Sequence, residues 1–426
     1  VSSTANYSSD PNQNDQDTDR TSATVLAHHD VTDALQLRAN LRYSALTDGF
    51  GYVYLAEGTG PDGTIYNRAY FGQDRDVREL VGNVILQYDA QFAAFDSSTL
   101  AGIEFNDGQS DVTAAFGAAS PIDIANPVNG PDAVPATYLD ETRDALTRSA
   151  FVQQNLSFDD RIIATVGLRR DWLELETTSR LTGQTAQADY AETSWRGALT
   201  YKVSDALSVY GSYVESVAPP SIGVEPERGS QYEVGVKYEP AGVNGIVSAA
   251  VFDLTKDNVS ASVVQGDGTI RQQLIGAYRA RGFEVEGKAE LTDSLEVIAG
   301  YSYIDTEVER GTARGVDVTG DTFGTVPTHT ASVWVNYTQP AGEVLNAQTF
   351  GGGVRYVGDY FYGIPNEGKS DAALLVDASY GYALEEDAEV TVNVSNLFDE
   401  QHVVGAGTAN YYNPGRSIAV TLRQSW

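Results

Sequence analysis

Cysteine is absent from all 426 residues, which removes both a disulfide framework and any thiolate metal site. Histidine is almost as scarce. Its four copies are too scattered for a catalytic or metal centre, and no Ser/His/Asp set or phosphate-binding loop accompanies them, so no enzyme is expected. No stretch approaches the roughly 20 apolar residues that a spanning helix needs. Positive charge is also in short supply. The formal net charge of -32 argues against nucleic acid as a partner, because a phosphate backbone would be repelled; the acid excess is read as a solvated coat on loops. The chain begins at Val1 with neither Met nor a signal peptide, so a mature or truncated segment is expected.

What the sequence does have is 25 Tyr and 41 Gly at a mean hydropathy of -0.27. That is too polar for a helical membrane protein but not for a β-barrel, in which only alternate residues meet lipid. Ile418, Val420, Leu422 and Trp426 fall on one side of an extended chain, with Ser417, Ala419, Thr421 and Arg423 on the other. A last strand that ends on an aromatic is how bacterial outer-membrane barrels close. The same alternation runs through Leu35 to Ser44, Val84 to Phe92, Phe283 to Leu291 and Val390 to Ser395.

Short Asp/Ser-containing turns recur at Asp30–Leu35, Phe95–Leu100, Phe158–Ile162, Val203–Leu207 and Leu291–Leu295. Between them lie long polar connections: Ala119–Glu141 with four prolines, Leu181–Ala191, Val217–Gly229, Gly311–Gly324 and Phe361–Lys369. Short periplasmic turns alternating with long extracellular loops are the asymmetry of an outer-membrane barrel. The expected fold is therefore all-β, a transmembrane antiparallel barrel with about 17 strands present, and with both first and last strand descending to the periplasm. Residues 1–20 are expected to be an extracellular loop remnant, and 21–426 strands, turns and loops.

Several segments then resemble one family in its order: Val166-Gly167-Leu168-Arg169-Arg170-Asp171-Trp172, Leu207 to Tyr213, Glu225 to Tyr238, Arg281 to Glu286, Val326-Pro327-Thr328-His329-Thr330, Asn396-Leu397-Phe398-Asp399 and Pro414-Gly415-Arg416-Ser417. The chain looks like the C-terminal part of the barrel of a TonB-dependent siderophore receptor, and the Glu225–Tyr238 run looks closest to the hydroxamate or ferrichrome type. The resemblance implies about 17 of 22 strands, around a plug domain that this chain does not show. It also implies ferric siderophore uptake, with iron carried as a chelated substrate rather than as a cofactor. The partners it implies are the TonB-ExbB-ExbD complex, reached through the absent plug and TonB box, the barrel-assembly machinery and the lipid of a Gram-negative outer membrane. A passive porin-like barrel, or a receptor for haem, cobalamin or a glycan, is the alternative; haem is disfavoured because Ser216-Val217-Ala218-Pro219-Pro220 lacks the Phe and Arg of the haem receptors' box.

A bulky chelate suits a concave aromatic site with a few polar anchors. The candidate contacts are the loop aromatics Tyr52, Tyr54, Tyr66, Tyr70, Phe71, Tyr138, Tyr360, Phe361, Tyr362, Tyr411 and Tyr412, with Tyr360–Tyr362 the best cluster. Ile418, Val420, Leu422 and Trp426 are the expected assembly signal. Asp15 to Asp19 imitates the start of an EF-hand loop, but Arg20 replaces the required Gly and Leu26 the bidentate Glu, so a solvated acidic loop is expected there. Glu233 and Lys237 are expected to face inward and pair. Leu397 and Phe398 are expected to pack at a strand end.

Overall fold

The computed structural model describes residues 10–59, 63–264, 270–313, 315–342, 345–385, 388–406 and 410–424. Every regular element among them is a strand. The first seven are β1 (Asp15–Thr32), β2 (Leu35–Thr59), β3 (Ile65–Gln91), β4 (Asp96–Asp123), β5 (Ala136–Phe158), β6 (Ile162–Ser179) and β7 (Thr185–Ser204). Next come β8 (Leu207–Ala218), β9 (Glu227–Tyr238), β10 (Asn244–Val264), β11 (Ile270–Thr292), β12 (Leu295–Ala313), β13 (Val316–Asp317), β14 (His329–Gln339) and β15 (Gln348–Val357). The remainder are β16 (Tyr360–Phe361), β17 (Lys369–Ser370), β18 (Ala373–Glu385), β19 (Ala388–Ser395), β20 (Val403–Ala406), β21 (Asn410–Tyr412) and β22 (Ser417–Gln424). Eighteen belong to one sheet, and β13 among them is only two residues long, which leaves seventeen long strands among the described residues. The pairs β16–β17 and β20–β21 are small ribbons within loops.

Two compact units divide the chain: Val1–Asn155 with Gly167–Trp195 and Pro219–Pro226, and Leu156–Val166 with Arg196–Ala218 and Glu227–Trp426. In the first, β1 pairs with β2, β2 with β3 and β3 with β4, all antiparallel. Registers hold without a slip from Leu35 to Leu55 of β2 and from Arg68 to Gln91 of β3, so side-chain parity can be followed across the sheet. One face carries Val25, Leu41, Val84, Ile103 and Phe105, all exposed. The other carries Arg38, Asn40, Asn83 and Glu104. Large exposed aliphatics opposite a charged face are what a sheet between lipid and water requires.

These strands run to 18 residues in β1 and 28 in β4, although roughly 9 to 11 suffice to cross a membrane. Beyond Tyr43 and Leu80 the apolar face turns polar, yet the ladder continues. Asp15 to Arg20 consequently lies in β1, paired from Gly51 to Leu46, not in the loop expected from sequence; Thr18 donates to Asp48 at 2.7 Å. Leu181–Ala191 is likewise not a long loop. β7 already begins at Thr185, and backbone bonds Ser179 to Gln184 and Gly183 to Ser179 close a tight turn. The Pro-rich connection after β4 is tied down by Gln13 and Ala133, which exchange two hydrogen bonds, and by the buried Arg68, which donates to the Ser120 carbonyl and Asn129.

In the second unit the end of β7 pairs with β8, and the order continues β8–β9–β10–β11–β12–β14–β15–β18–β19–β22, each antiparallel to the next. Short turns fall where the Asp/Ser punctuation put them, except at Phe95–Leu100, where Asp96 to Leu100 already belongs to β4 and the turn is made by the residues Phe92 to Phe95 before it. At the turn after β5, Asp159 and Asp160 both adopt positive φ, 50° and 51°, the left-handed pair of a two-residue hairpin whose twist matches its strands. Tyr232, Val234, Val251, Phe283, Val333 and Val354 expose the apolar face. The deeply buried valines of this unit, Val308 and Val318, lie where the connection after β12 folds back, with the Val318 amide on the Gly311 carbonyl and the Gly320 amide on the Val308 carbonyl.

Because alternation decides which residue meets lipid, Val84→Arg in the full-length protein is expected to destabilise the folded barrel by about 2 to 4 kcal/mol, while Asn83→Arg, one residue away on the charged face, costs far less. Denaturant titration in lipid vesicles measures both, and equal losses would invalidate the assignment of faces.

Candidate functional site

The parity that puts Leu41 on the apolar face puts Phe50, Tyr52 and Tyr54 on the charged one, above the apolar belt. In β3 the same face holds Phe71, opposite Tyr52, and in β4 it holds Phe116, opposite Phe71. The rings touch. Phe50 and Tyr52 stack at 6.1 Å between centroids, Phe50 and Phe71 lie at 5.8 Å, Tyr52 and Tyr54 at 5.6 Å, and Tyr52 and Phe71 meet edge-on at 6.0 Å. Tyr52 and Phe116 are exposed, so the ladder presents ring faces to solvent. Flanking Phe50 in the same row are Gln16 of β1 and Gln73 of β3. One row nearer the membrane come Thr18, Asp48 and Arg75, the last two 3.7 Å apart.

Of the candidates in this unit, Tyr52, Tyr54 and Phe71 are thus brought together, on strands and not on loops. Phe50 and Phe116 join them; Phe50 was legible as the residue two before Tyr52, and Phe116 only through the β3–β4 register. Tyr70 is turned the other way, its hydroxyl over Gly51 and Gly72, where any added Cβ would meet it at 2.4 and 2.5 Å. Those glycines make room for the ring. Tyr66, half-buried, sits opposite Ile122 and Tyr138 is exposed in β5, neither among the touching rings of the ladder.

In the second unit, Tyr360 is a packing residue. It is 7% exposed and its hydroxyl donates to the Val403 carbonyl at 3.0 Å, an acceptor shared with Ser370 at 2.7 Å. Phe361 carries the Lys369 ammonium over its ring at 5.4 Å, and Tyr362 lies against Gly368. Lys369 also pairs with Asp359 and holds that carboxyl below the usual carboxylate range. Tyr411 and Tyr412, 61% and 55% exposed on β21, remain available. Neighbouring loops are stitched together at Asn366, whose amide nitrogen donates to the Thr322 carbonyl while its oxygen accepts from the Thr322 amide, both at 2.8 Å; the Thr325 amide donates to the Phe361 carbonyl at 2.7 Å.

Glu233 and Lys237 do not form the simple pair expected. Tyr210 donates to Glu233 at 2.7 Å, Gln231 donates to it at 2.9 Å, and Lys237 sits over the Tyr210 ring, so the tyrosine stands between the two charges. The expectation for Phe398 is also corrected: it is 73% exposed, while Leu397 is half-buried and the segment is held by its polar ends. Asn396, buried with φ 53°, donates to the carbonyls of Glu400 and Pro414 and accepts from the Glu400 amide, while Asp399 accepts from the Arg416 amide at 2.7 Å. A turn that must satisfy this many backbone groups needs short polar side chains. Ile418, Val420 and Leu422 lie exposed on β22 opposite Val394, Val392 and Val390, and Trp426 lies outside the described residues.

An antiparallel sheet with one lipid-compatible face and an aromatic ladder above it on the other defines a protein of the membrane-strand class. The chain belongs to the TonB dependent receptor-like β-barrel family, whose model matches residues 1–397. It is similar to the ferrichrome outer membrane transporter/phage receptor of Escherichia coli K12, 30% identical over 413 residues covering 88% of this chain and 54% of that one. To the ferrioxamine B receptor of Salmonella typhimurium it is 28% identical, over 92% of this chain and 56% of that one. Among solved structures, the siderophore receptor PiuA from Acinetobacter baumannii superimposes with a TM-score of 0.86 at 19% identity, over 98% of this chain and 66% of that one. The ferric-catecholate import receptor Fiu from E. coli K12 gives 0.81 at 19%, over 97% and 65%. The chain spans about half the length of the curated relatives it matches. The family consists of transport receptors, not enzymes, and its barrels reside in the outer membrane of Gram-negative bacteria.

If Asn366 holds the two loops together, Asn366→Ala in the full-length receptor should speed proteolysis within 361–369 on intact cells by about tenfold, given a loss of roughly 1 to 3 kcal/mol for buried amide groups left unpaired. Unchanged cleavage would show that the loops hold without it.

Proposed function

We propose that this chain is the larger part of the barrel of an outer-membrane receptor that captures a ferric siderophore and moves it inward with energy from TonB-ExbB-ExbD. The observation that carries the reading is the aromatic ladder of Phe50, Tyr52, Tyr54, Phe71 and Phe116 on the charged face, above the apolar belt. Flat rings on paired strands offer a large preorganised surface to a rigid chelate, at little entropic cost because each ring has only two free torsions. Iron is cargo here, not a cofactor. Tyr411 and Tyr412 are retained as second contacts; Tyr66 and Tyr138 are peripheral ones.

The missing parts of the machine lie in the remainder of the protein on this reading: a plug, a TonB box, and about five strands completing a barrel of 22. The charged face supports a plug. Glu233, Glu284 and Glu286 share that face in β9 and β11; Glu233 accepts from Tyr210 and Gln231, and Glu286 from Ser248, all neutral donors. Carboxylates so placed call for a basic partner surface.

Uptake of radiolabelled ferric tris-hydroxamate by cells carrying the full-length receptor tests the site. Tyr52→Ala and Phe71→Ala are each expected to weaken binding by about tenfold, on the order of 1 to 1.5 kcal/mol for a stacked ring, whereas Tyr70→Ala, on the opposite face, leaves affinity within about twofold. Loss with Tyr70→Ala alone would place the ligand elsewhere.

The last strand is the natural recognition element for the barrel-assembly machinery, since Ile418, Val420 and Leu422 line its apolar face and Trp426 follows it in sequence. Removing Trp426 from the full-length protein should reduce heat-modifiable folded barrel in the outer membrane severalfold. Undiminished folded yield sinks that role.

A further inference from the structure

In the connection after β4, the exposed Asn129 is followed by Gly130, in a segment without regular structure. Packing requires the glycine: an added Cβ would meet the Ser120 side chain at 2.7 Å, where the Ser120 hydroxyl donates to the Pro131 carbonyl. The missing side chain also leaves the Gly130 nitrogen open toward the neighbouring amide. Among the described residues no acceptor takes up its proton. Asparagine is a thermally labile residue because its side-chain amide can be attacked and lost. We infer that Asn129 is a self-modification site, converted to aspartate by attack of the Gly130 nitrogen while the Arg68 guanidinium holds the oxygen of the reacting carbonyl.

Arg68 is 3% exposed, and its Nη1 donates to Asn129 Oδ1 at 2.8 Å while its Nε donates to the Ser120 carbonyl at 2.7 Å. A cation on Oδ1 draws electrons from Cγ and stabilises the oxyanion that forms when a nucleophile adds there. The Gly130 nitrogen bonds to Cγ, the Cγ–Nδ2 bond breaks, and the displaced proton leaves with that nitrogen as ammonia. A cyclic imide results. Water, the only co-reactant, then opens it, at Cγ to give aspartate or at the main-chain carbonyl to give isoaspartate. Arg68 marks Cγ. The product carboxylate forms a bond between two charges where a neutral amide stood, and it keeps one side in water because position 129 is exposed. Burial holds the Arg68 pKa below its usual value against the pull of Asp10, so a further carboxylate relieves the cation. Conversion therefore tightens the fastening of the Pro-rich connection to β3.

The chain's other Asn-Gly pair, Asn244-Gly245, lacks these features. Both residues lie in β10, paired with Glu290 and Ala289 of β11, so the ladder fixes their backbone. Asn244 Nδ2 donates to Glu290 at 2.8 Å, and an oxyanion there would form beside a carboxylate. The two sites differ in surroundings and not in local sequence.

The test ages the full-length receptor, in detergent, at mildly alkaline pH in heavy-oxygen water, then digests it in ordinary water for mass spectrometry. Only conversion in the aged protein carries the label. Asn129 is expected to convert at least about tenfold faster than Asn244, with aspartate in excess over isoaspartate. In urea the two rates should converge and position 129 should shift toward isoaspartate. Arg68→Gln, with its folded state checked by heat-modifiability, should slow conversion at 129 by about tenfold and remove the aspartate excess. Arg68→Lys, which keeps the charge, should retain part of both effects. If Arg68→Gln does not fold, the product ratio of the folded against the urea-unfolded receptor decides. Equal rates at 129 and 244 in the folded receptor, or a product ratio at 129 that is the same with and without the guanidinium in place, overturns the inference.

Discussion

A strand in hydrocarbon can spare none of its backbone hydrogen bonds, because no water is present to replace a missing partner and each unsatisfied group costs several kcal/mol. Register is therefore set along the whole length of each pair, and everything else in this chain inherits it. From Leu35 to Leu55 of β2 the pairing with β3 never slips, so a side chain's face is determined by counting from Leu41. That rigidity lets an apolar residue in the belt dictate where a tyrosine far above it must point.

The ladder persists beyond the membrane for the same reason. Once β2, β3 and β4 are in register, continuing them costs only the conformational entropy of residues whose backbone groups already have partners. Polar cross-strand contacts such as Thr18 with Asp48 and Thr47 with Asp76, both 2.7 Å, serve the extension where apolar contacts serve the belt. Above the lipid the sheet becomes a scaffold, and the aromatic rings mounted on it are held against one another. Loops without a ladder need other ties. Asn366, Tyr360 and Ser370 supply them by bonding to backbone carbonyls of neighbouring loops.

The belt was legible in the sequence because alternation of Leu37, Ala39 and Leu41 against Arg38, Asn40 and Arg42 is a direct record of two solvents. The short turns were legible from Asp and Ser. The extensions were not: Asp15 to Arg20 is polar on both faces, so a period of two leaves no trace and the segment reads as loop, while in Thr185 to Ala191 the alternation rests only on Ala186, Ala188 and Tyr190, too few and too small to mark a strand. Six of the candidate aromatics were accordingly assigned to loops although they lie on long strands of the main sheet. Tyr70 and Phe71 looked equivalent for the same reason, and only the register separates a ring facing its partners from one lying over Gly51 and Gly72. The Asn396–Asp399 turn was misjudged differently, since its apolar centre drew the eye while its polar ends carry the structure.

Placing recognition on paired strands has a consequence for specificity. A loop can reorganise to bring an arginine to an anion, but a strand fixes what its row offers, here glutamine, phenylalanine and glutamine. Selectivity at such a site is written by residue type and sign of charge, not by adaptation. The ion pairs reinforce this. Arg180 bonded to Asp111, Asp140 and Thr142 is a structural clasp between strand ends, and releasing it to a ligand would break three hydrogen bonds to make at most a comparable number. In a strongly acidic rim a cation does more by fastening neighbours than by attracting guests.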